Sequence, residues 1–168
     1  MPLPVARGPR QPLRRMSMDM TESHGAPLEP HEVHDAVGGL PAFVRLVEAF
    51  YTRVEADDLL RPMYPDDLEP GKRHLALFLA QYWGGGDVYG RERGHPRLRM
   101  RHAPFPVSPE AAQRWAEHMG AAVREQGWPA DAEEHVLAYV ARATPTLVNR
   151  LPEEVAARAV HDLPHESP

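Results

Sequence analysis

Apolar residues recur at spacings of three and four in several stretches of this chain. Leu40, Phe43, Val44, Val47, Tyr51 and Val54 trace one stripe, which predicts a helix of about four turns. Asp57-Asp58 and Pro62 end it. Leu75, Phe78, Leu79 and Tyr82 predict a second amphipathic helix. It follows a short loop bracketed by Pro65, Pro70 and Gly71, and it stops at Gly84-Gly85-Gly86. Ser108-Pro109-Glu110 reads as a helix start: a capping hydroxyl, a first-turn proline and an acid near the positive end of the dipole. Ala111, Trp115, Met119, Ala122 and Val123 share the inner face of that helix, and Gly127-Trp128-Pro129 breaks it. A last long helix follows, with Asp131 and Glu134 in a capping arrangement. Its buried side carries Val136, Val140, Thr144, Leu147 and Val148, and Pro145 should kink it.

Residues 84–104 are rich in Gly, Pro and Arg and show no strong period, which predicts a long connection with one short helix around Leu98–His102. Connections of that length are often functional. No stretch alternates as a strand would and no segment repeats, so the expected fold class is all-α with four main helices. Order should begin near Val33, with a turn or loose helix end at Val37-Gly38-Gly39. Residues 1–30 hold six prolines, four arginines and four methionines without a period, and read as a disordered extension. Met16, Met18 and Met20 offer later translation starts. Residues 31–150 are the expected domain, and 151–168 a charged tail with an optional short helix at Glu153–Val160.

Composition narrows the chemistry. A chain of 168 residues suits one domain with tails. The absence of cysteine excludes disulfides, thiolate catalysis, Cys-ligated zinc, iron–sulfur clusters and covalently attached haem. A formal charge of -5 argues against general nucleic-acid binding. No apolar run reaches the roughly 18 residues that span a membrane, and no secretory apolar segment is evident. The expectation is a soluble, cytoplasmic protein.

Ten histidines raise the question of metal binding. His31-Glu32-Val33-His34 lacks the spacing of a zinc-protease motif, and Gly84-Gly85-Gly86-Asp87 follows a helix and has no phosphate-loop ending. His102 stands apart. It lies four residues after Leu98, so the two share a face if that turn is helical, and Pro104 ends the turn at once. A structural histidine and an axial metal ligand both fit this context. Tyr51 and Trp115 face inward on their helices, and Tyr64 stands where the chain leaves the first long helix. Buried phenols and indoles need hydrogen-bond partners. Either ordinary core partners satisfy them, or they converge on one polar ligand in a shared pocket.

The segments Phe50-Tyr51, Tyr64-Pro65-Asp66-Asp67, Phe78-Leu79-Ala80-Gln81-Tyr82-Trp83-Gly84-Gly85 and the run from Gly94 to Phe105, followed by Trp115, carry a family likeness. Over roughly residues 33–149 the chain resembles the group II truncated haemoglobins. The resemblance implies a two-over-two helical sandwich around noncovalent haem b, with His102 as the proximal iron ligand. It implies Tyr51, Tyr64 and Trp115 as a distal polar trio, Gly71 at the small distal position, and Leu75 and Phe78 as apolar pocket walls. Arg101, flanked by Arg97 and Arg99, is the arginine chosen to pair with haem propionates, since guanidinium forks suit carboxylates. The implied small ligands are O₂, NO, CO and peroxide. The implied function is tight O₂ binding with slow release and a redox role. NO dioxygenase or peroxidase-type activity is the alternative. The chain has no flavin or nicotinamide motif, so any reductase would be a separate protein. A homodimer stays open, as does a haem-free helical interaction protein whose pocket is filled by side chains.

Overall fold

The structure, a computed structural model, describes residues 26–150. The later starts, the tail and its optional helix, and most of the N-terminal extension lie outside the described residues. Within them the chain forms α1 (Val33–Val37), α2 (Leu40–Glu55), α3 (Glu69–Tyr82), α4 (Val88–Arg93), α5 (Leu98–His102), α6 (Pro109–Arg124) and α7 (Ala130–Ala143). Short 3₁₀ turns lie at Pro30–Glu32, Arg61–Met63 and Thr144–Leu147. The described residues contain no strand, as the all-α reading requires. α2 packs on α3 and α6 packs on α7, while α2 also crosses onto α6. This is the two-over-two sandwich.

The core is built where the stripes predict it, with a rotated centre on α2. Phe43, Leu46, Phe50 and Val54 are fully buried there, and Met119, Val123 and Val136 meet them from α6 and α7. Burying each such side chain stabilises the fold by roughly 1.5–3 kcal/mol. Leu40 and Val44, expected on the buried stripe, are exposed. At 100° per residue the line through 43, 46, 50 and 54 centres the face, and 40 and 44 fall on its flank.

Three element boundaries differ from expectation. α3 begins at Glu69, because Pro70 occupies its first turn, where a missing N–H removes no helical bond. Gly71 is therefore inside a helix. α4 falls inside the stretch where the sequence predicts a long connection. It has six residues and one buried side chain, Tyr89, too few for a visible period. Pro145 does not kink α7, which ends at Ala143 without it; the chain passes into the 3₁₀ turn with Pro145 in its first turn. Asp131 does not cap α7 by a side-chain bond, since the N-cap is Pro129, but it sits in the first turn near the positive dipole end. Ser108 does cap α6: its Oγ accepts from the Ala111 N–H at 3.1 Å.

Core contacts reach back to Leu28. Leu28 packs against the core, and its carbonyl accepts a bond from His135 Nε2 at 2.6 Å. A single leucine among prolines leaves no periodic signal, so sequence patterning could not place it. The turn at Pro30–Glu32 lies against Gly84, whose φ is +106°. A Cβ there would stand 1.9 Å from the His31 carbonyl oxygen. The triple glycine is thus a helix end shaped to receive the incoming chain.

Candidate functional site

α2, α3, α5, α6 and the turn after α7 line a partly open cavity of about 270 Å³. Its walls are largely apolar, and Tyr51, Tyr64, Gly71, His102 and Trp115 all line it. Five of the expected site residues, spread over 65 positions from Tyr51 to Trp115, are thereby brought together.

His102 lies at the end of α5. Its Nδ1 is 2.7 Å from the Leu98 carbonyl oxygen, one helical turn back. A carbonyl can only accept, so Nδ1 carries the proton and Nε2 of the neutral ring keeps its lone pair. That is the tautomer a metal-ligating imidazole requires, oriented by its second nitrogen.

Trp115, half-buried on α6, donates its indole N–H to the Tyr64 hydroxyl oxygen at 3.1 Å. The Tyr64 O–H proton is left available to a third group. The Tyr51 ring meets Tyr64 edge-on with centroids 5.7 Å apart. Burial pushes the Tyr51 phenol up to about 12, with nearby Lys72 acting weakly the other way. Burial raises Tyr64 above the usual phenol range too; Tyr51 adds to the rise and the Trp115 bond opposes it. Both phenols therefore remain protonated donors at neutral pH. Gly71 provides the room: a Cβ there would lie 2.6 Å from the Tyr51 hydroxyl oxygen.

The other expected residues are placed differently. Leu75 and Phe78 are half-buried against the core, outside the lining of this cavity. Phe78 packs edge-on against Tyr89 of α4, with centroids 5.6 Å apart, a contact invisible before α4 was known. Arg101 is committed to its own loop: Nε donates to the Pro96 carbonyl and Nη2 to that of Arg93, each at 2.7 Å. The carbonyls between α4 and α5 lack helical partners, and this guanidinium supplies them.

In the sequence Asp57 marks only a helix end. It is a buried carboxylate that accepts from His118 Nε2 at 2.7 Å, Arg114 Nη1 at 3.0 Å, and the Leu59 and Leu60 amides at 2.9 and 3.0 Å. The His118 bond above all holds its carboxyl well below the usual carboxylate range. It joins α6 to the corner that leads to Leu60, itself a cavity wall. A lone Asp after a helix carries no sequence signal for a partner 61 residues away.

The fold and site define a small helical protein in which an imidazole and a phenol and indole cluster line one largely apolar cavity. The sequence matches the family model for bacterial-like globins over residues 32–149, and the chain belongs to that family, within its group II truncated haemoglobins. It is 37% identical over 110 residues to the group 2 truncated haemoglobin of Bacillus subtilis, covering 66% of this chain and 83% of that one. Its fold is similar to the haemoglobin of the thermophilic phototroph Chloroflexus aurantiacus, with a TM-score of 0.69 and 50% identity over 70% of this chain and 98% of that one. It is also similar to the truncated oxygen-avid haemoglobin from Bacillus subtilis, at 0.66 and 36% over 70% and 98%. The cofactor of this family is haem b. The cavity fits such a group by its apolar walls, its imidazole with Nε2 left unprotonated and its protonated phenols. With no cysteine in the chain, thioether attachment is excluded.

Proposed function

We propose that this protein holds haem b through His102 Nε2 and binds O₂ and other diatomic ligands on the side of Tyr51, Tyr64 and Trp115. The observation that carries this is the His102 tautomer, fixed by the Leu98 carbonyl, on the same cavity as the two phenols and the indole. Bound haem supplies iron with one open coordination position for O₂, CO, NO or peroxide. The distal side chains then decide how long a ligand stays. Trp115 polarises the Tyr64 hydroxyl by donating to it, which strengthens Tyr64 as a donor to the ligand. Two neutral hydrogen bonds of about 1 kcal/mol each slow ligand release roughly tenfold or more. Slow O₂ release suits a redox role better than transport. The oxygen-avid Bacillus subtilis relative supports that reading.

The haem-free alternative requires side chains to fill the pocket, and the cavity of about 270 Å³ counts against it. The finer activities are oxidation of NO to nitrate and reduction of peroxide, each with electrons from a separate reductase. Steady-state assays with NO and with peroxide separate them. No helix among the described residues is long and apolar enough to cross a membrane. The deciding experiment is an ultraviolet–visible spectrum after expression with haem supply. An intense Soret band in the wild type, changed in position or lost in His102→Ala, supports the proposal. A wild type without the band overturns it.

A further inference from the structure

We propose that Asn149 is a positioning residue for His102: its side-chain amide clamps the end of α5 and sets the imidazole in the cavity. This rests on the reading of His102 as the haem ligand.

α5 cannot fix its own position. It has five residues and no side-chain cap, and its N-cap Arg97 has φ 43° and ψ 51°, a left-handed conformation. None of its side chains is fully buried. Its packing partner is the 3₁₀ turn Thr144–Leu147, which follows α7. A helix this short leaves most of its carbonyls without internal partners.

Asn149 supplies what is missing. Its Nδ2 donates to the His102 carbonyl at 3.0 Å and to the Phe105 carbonyl at 2.8 Å. Its Oδ1 accepts from the Val107 N–H at 2.9 Å. Its backbone N–H donates to the Val107 carbonyl at 3.0 Å, and the Arg150 N–H reaches the same oxygen at 3.1 Å. Both amide protons and the amide oxygen are therefore used on one segment, His102–Val107. His102 is pinned twice, at its ring by Leu98 and at its own carbonyl by Asn149. The clamp requires two donors and one acceptor on one short side chain. Aspartate keeps only the acceptor, and alanine keeps neither.

Asn149 is exposed, so water competes for these bonds and its loss is not a core lesion. Its effect should fall on the geometry of His102 more than on global stability. Changes in the groups that orient a metal's histidine weaken metal binding about 10–100-fold.

The test compares wild type, Asn149→Ala, Asn149→Asp and a control, Thr146→Val, as haem-loaded full-length chains. The control cuts a bond from the Thr146 hydroxyl to the Ala143 carbonyl, which is internal to the turn and is not a hydrogen bond to α5. Both Asn149 variants should shift the iron–histidine stretching band of the ferrous protein. They should also release haem to an acceptor apoprotein at least about tenfold faster. The control should do neither. Amide exchange gives a readout independent of haem chemistry: Val107 should lose protection in Asn149→Ala and keep it in Asn149→Asp. Unchanged band and release rate in both Asn149 variants overturn the proposal, as does a control that loosens haem equally. A wild type without an iron–histidine band overturns the haem-ligand reading of His102 instead, and Val107 exchange still decides whether Asn149 holds the segment.

Discussion

A Cβ on Gly71 would lie 2.6 Å from the hydroxyl oxygen of Tyr51, closer than unbonded atoms approach. The phenol is buried on α2, and its ring packs against Phe50 and Tyr64, with centroids 5.5 and 5.7 Å away. It cannot swing away freely. Glycine at position 71 is a condition for the Tyr51 hydroxyl to stand where it does, although glycine inside a helix costs about 0.5–1 kcal/mol relative to alanine.

Gly71→Ala should therefore displace the Tyr51 hydroxyl and alter ligand release. If Tyr51 contributes one hydrogen bond of about 1 kcal/mol, Tyr51→Phe speeds O₂ dissociation about fivefold. Gly71→Ala should approach the same rate, and the double variant should be no faster than Tyr51→Phe. Stopped-flow O₂ dissociation on the three variants completes the cycle. Additive effects would show that the two residues act separately.

Trp115 and Tyr64 should also behave as one unit. Trp115→Phe removes the donor that orients Tyr64, and Tyr64→Phe leaves the indole N–H without its acceptor. Each should speed O₂ release about tenfold, and the double variant by much less than the product. Both phenols are raised above their ordinary range, so wild-type release should be flat between about pH 6 and 9. A step in that window would assign the donor to a group other than these phenols.

The parts of the site legible in sequence are those whose signal is local or shared with the family. Tyr51 and Trp115 sit on helical stripes, and Ser108 announces α6. Spacing leaves His102 ambiguous, and the resemblance carried by the run from Gly94 to Phe105 implies the ligand role. The groups that hold the site were not legible, because each acts through one long-range bond. Asp57 reaches His118 on α6, and Asn149 reaches back to His102. Arg101 is a different case: its type suits a propionate, and its Nε and Nη2 also brace carbonyls of its own loop, a role sequence does not announce. α4 and the early start of α3 were missed because prolines and short lengths hide period.

Arg101→Ala should loosen the approach to α5. It removes two bonds at 2.7 Å that tie Pro96 and Arg93 to the helix. Arg101 is half-buried, and the expected loss of stability is about 1 kcal/mol. Amide exchange should rise at Arg101 and Gly94, whose N–H groups bond the Arg97 and Gly90 carbonyls. Arg101→Lys should rescue only in part, since a single ammonium lacks the guanidinium's fixed fork. Unchanged exchange in Arg101→Ala would refute this bracing role.

Asp57 should govern acid stability. Its folded pKa lies below the value of about 3.9 for a free carboxylate, so the unfolded chain binds the proton more readily. Its stabilising contribution is fully present above about pH 4 and is lost as pH falls through the folded pKa. At neutral pH, Asp57→Asn replaces a carboxylate bonded by His118 and Arg114 with an amide whose NH₂ faces two donors. Hydrogen bonds to charged groups contribute about 1.5–3 kcal/mol each, and water resolvates part of the exposed Arg114, so a net loss of about 2–3 kcal/mol is expected. Below about pH 4 the gap between the variants should begin to narrow, because the unfolded wild-type chain then binds a proton that the folded carboxylate still excludes. Thermal melting of both proteins from acid to neutral pH reads the difference directly. A gap that stays constant across the acid range would show that the Asp57 charge does not hold α6 to the corner beside the cavity.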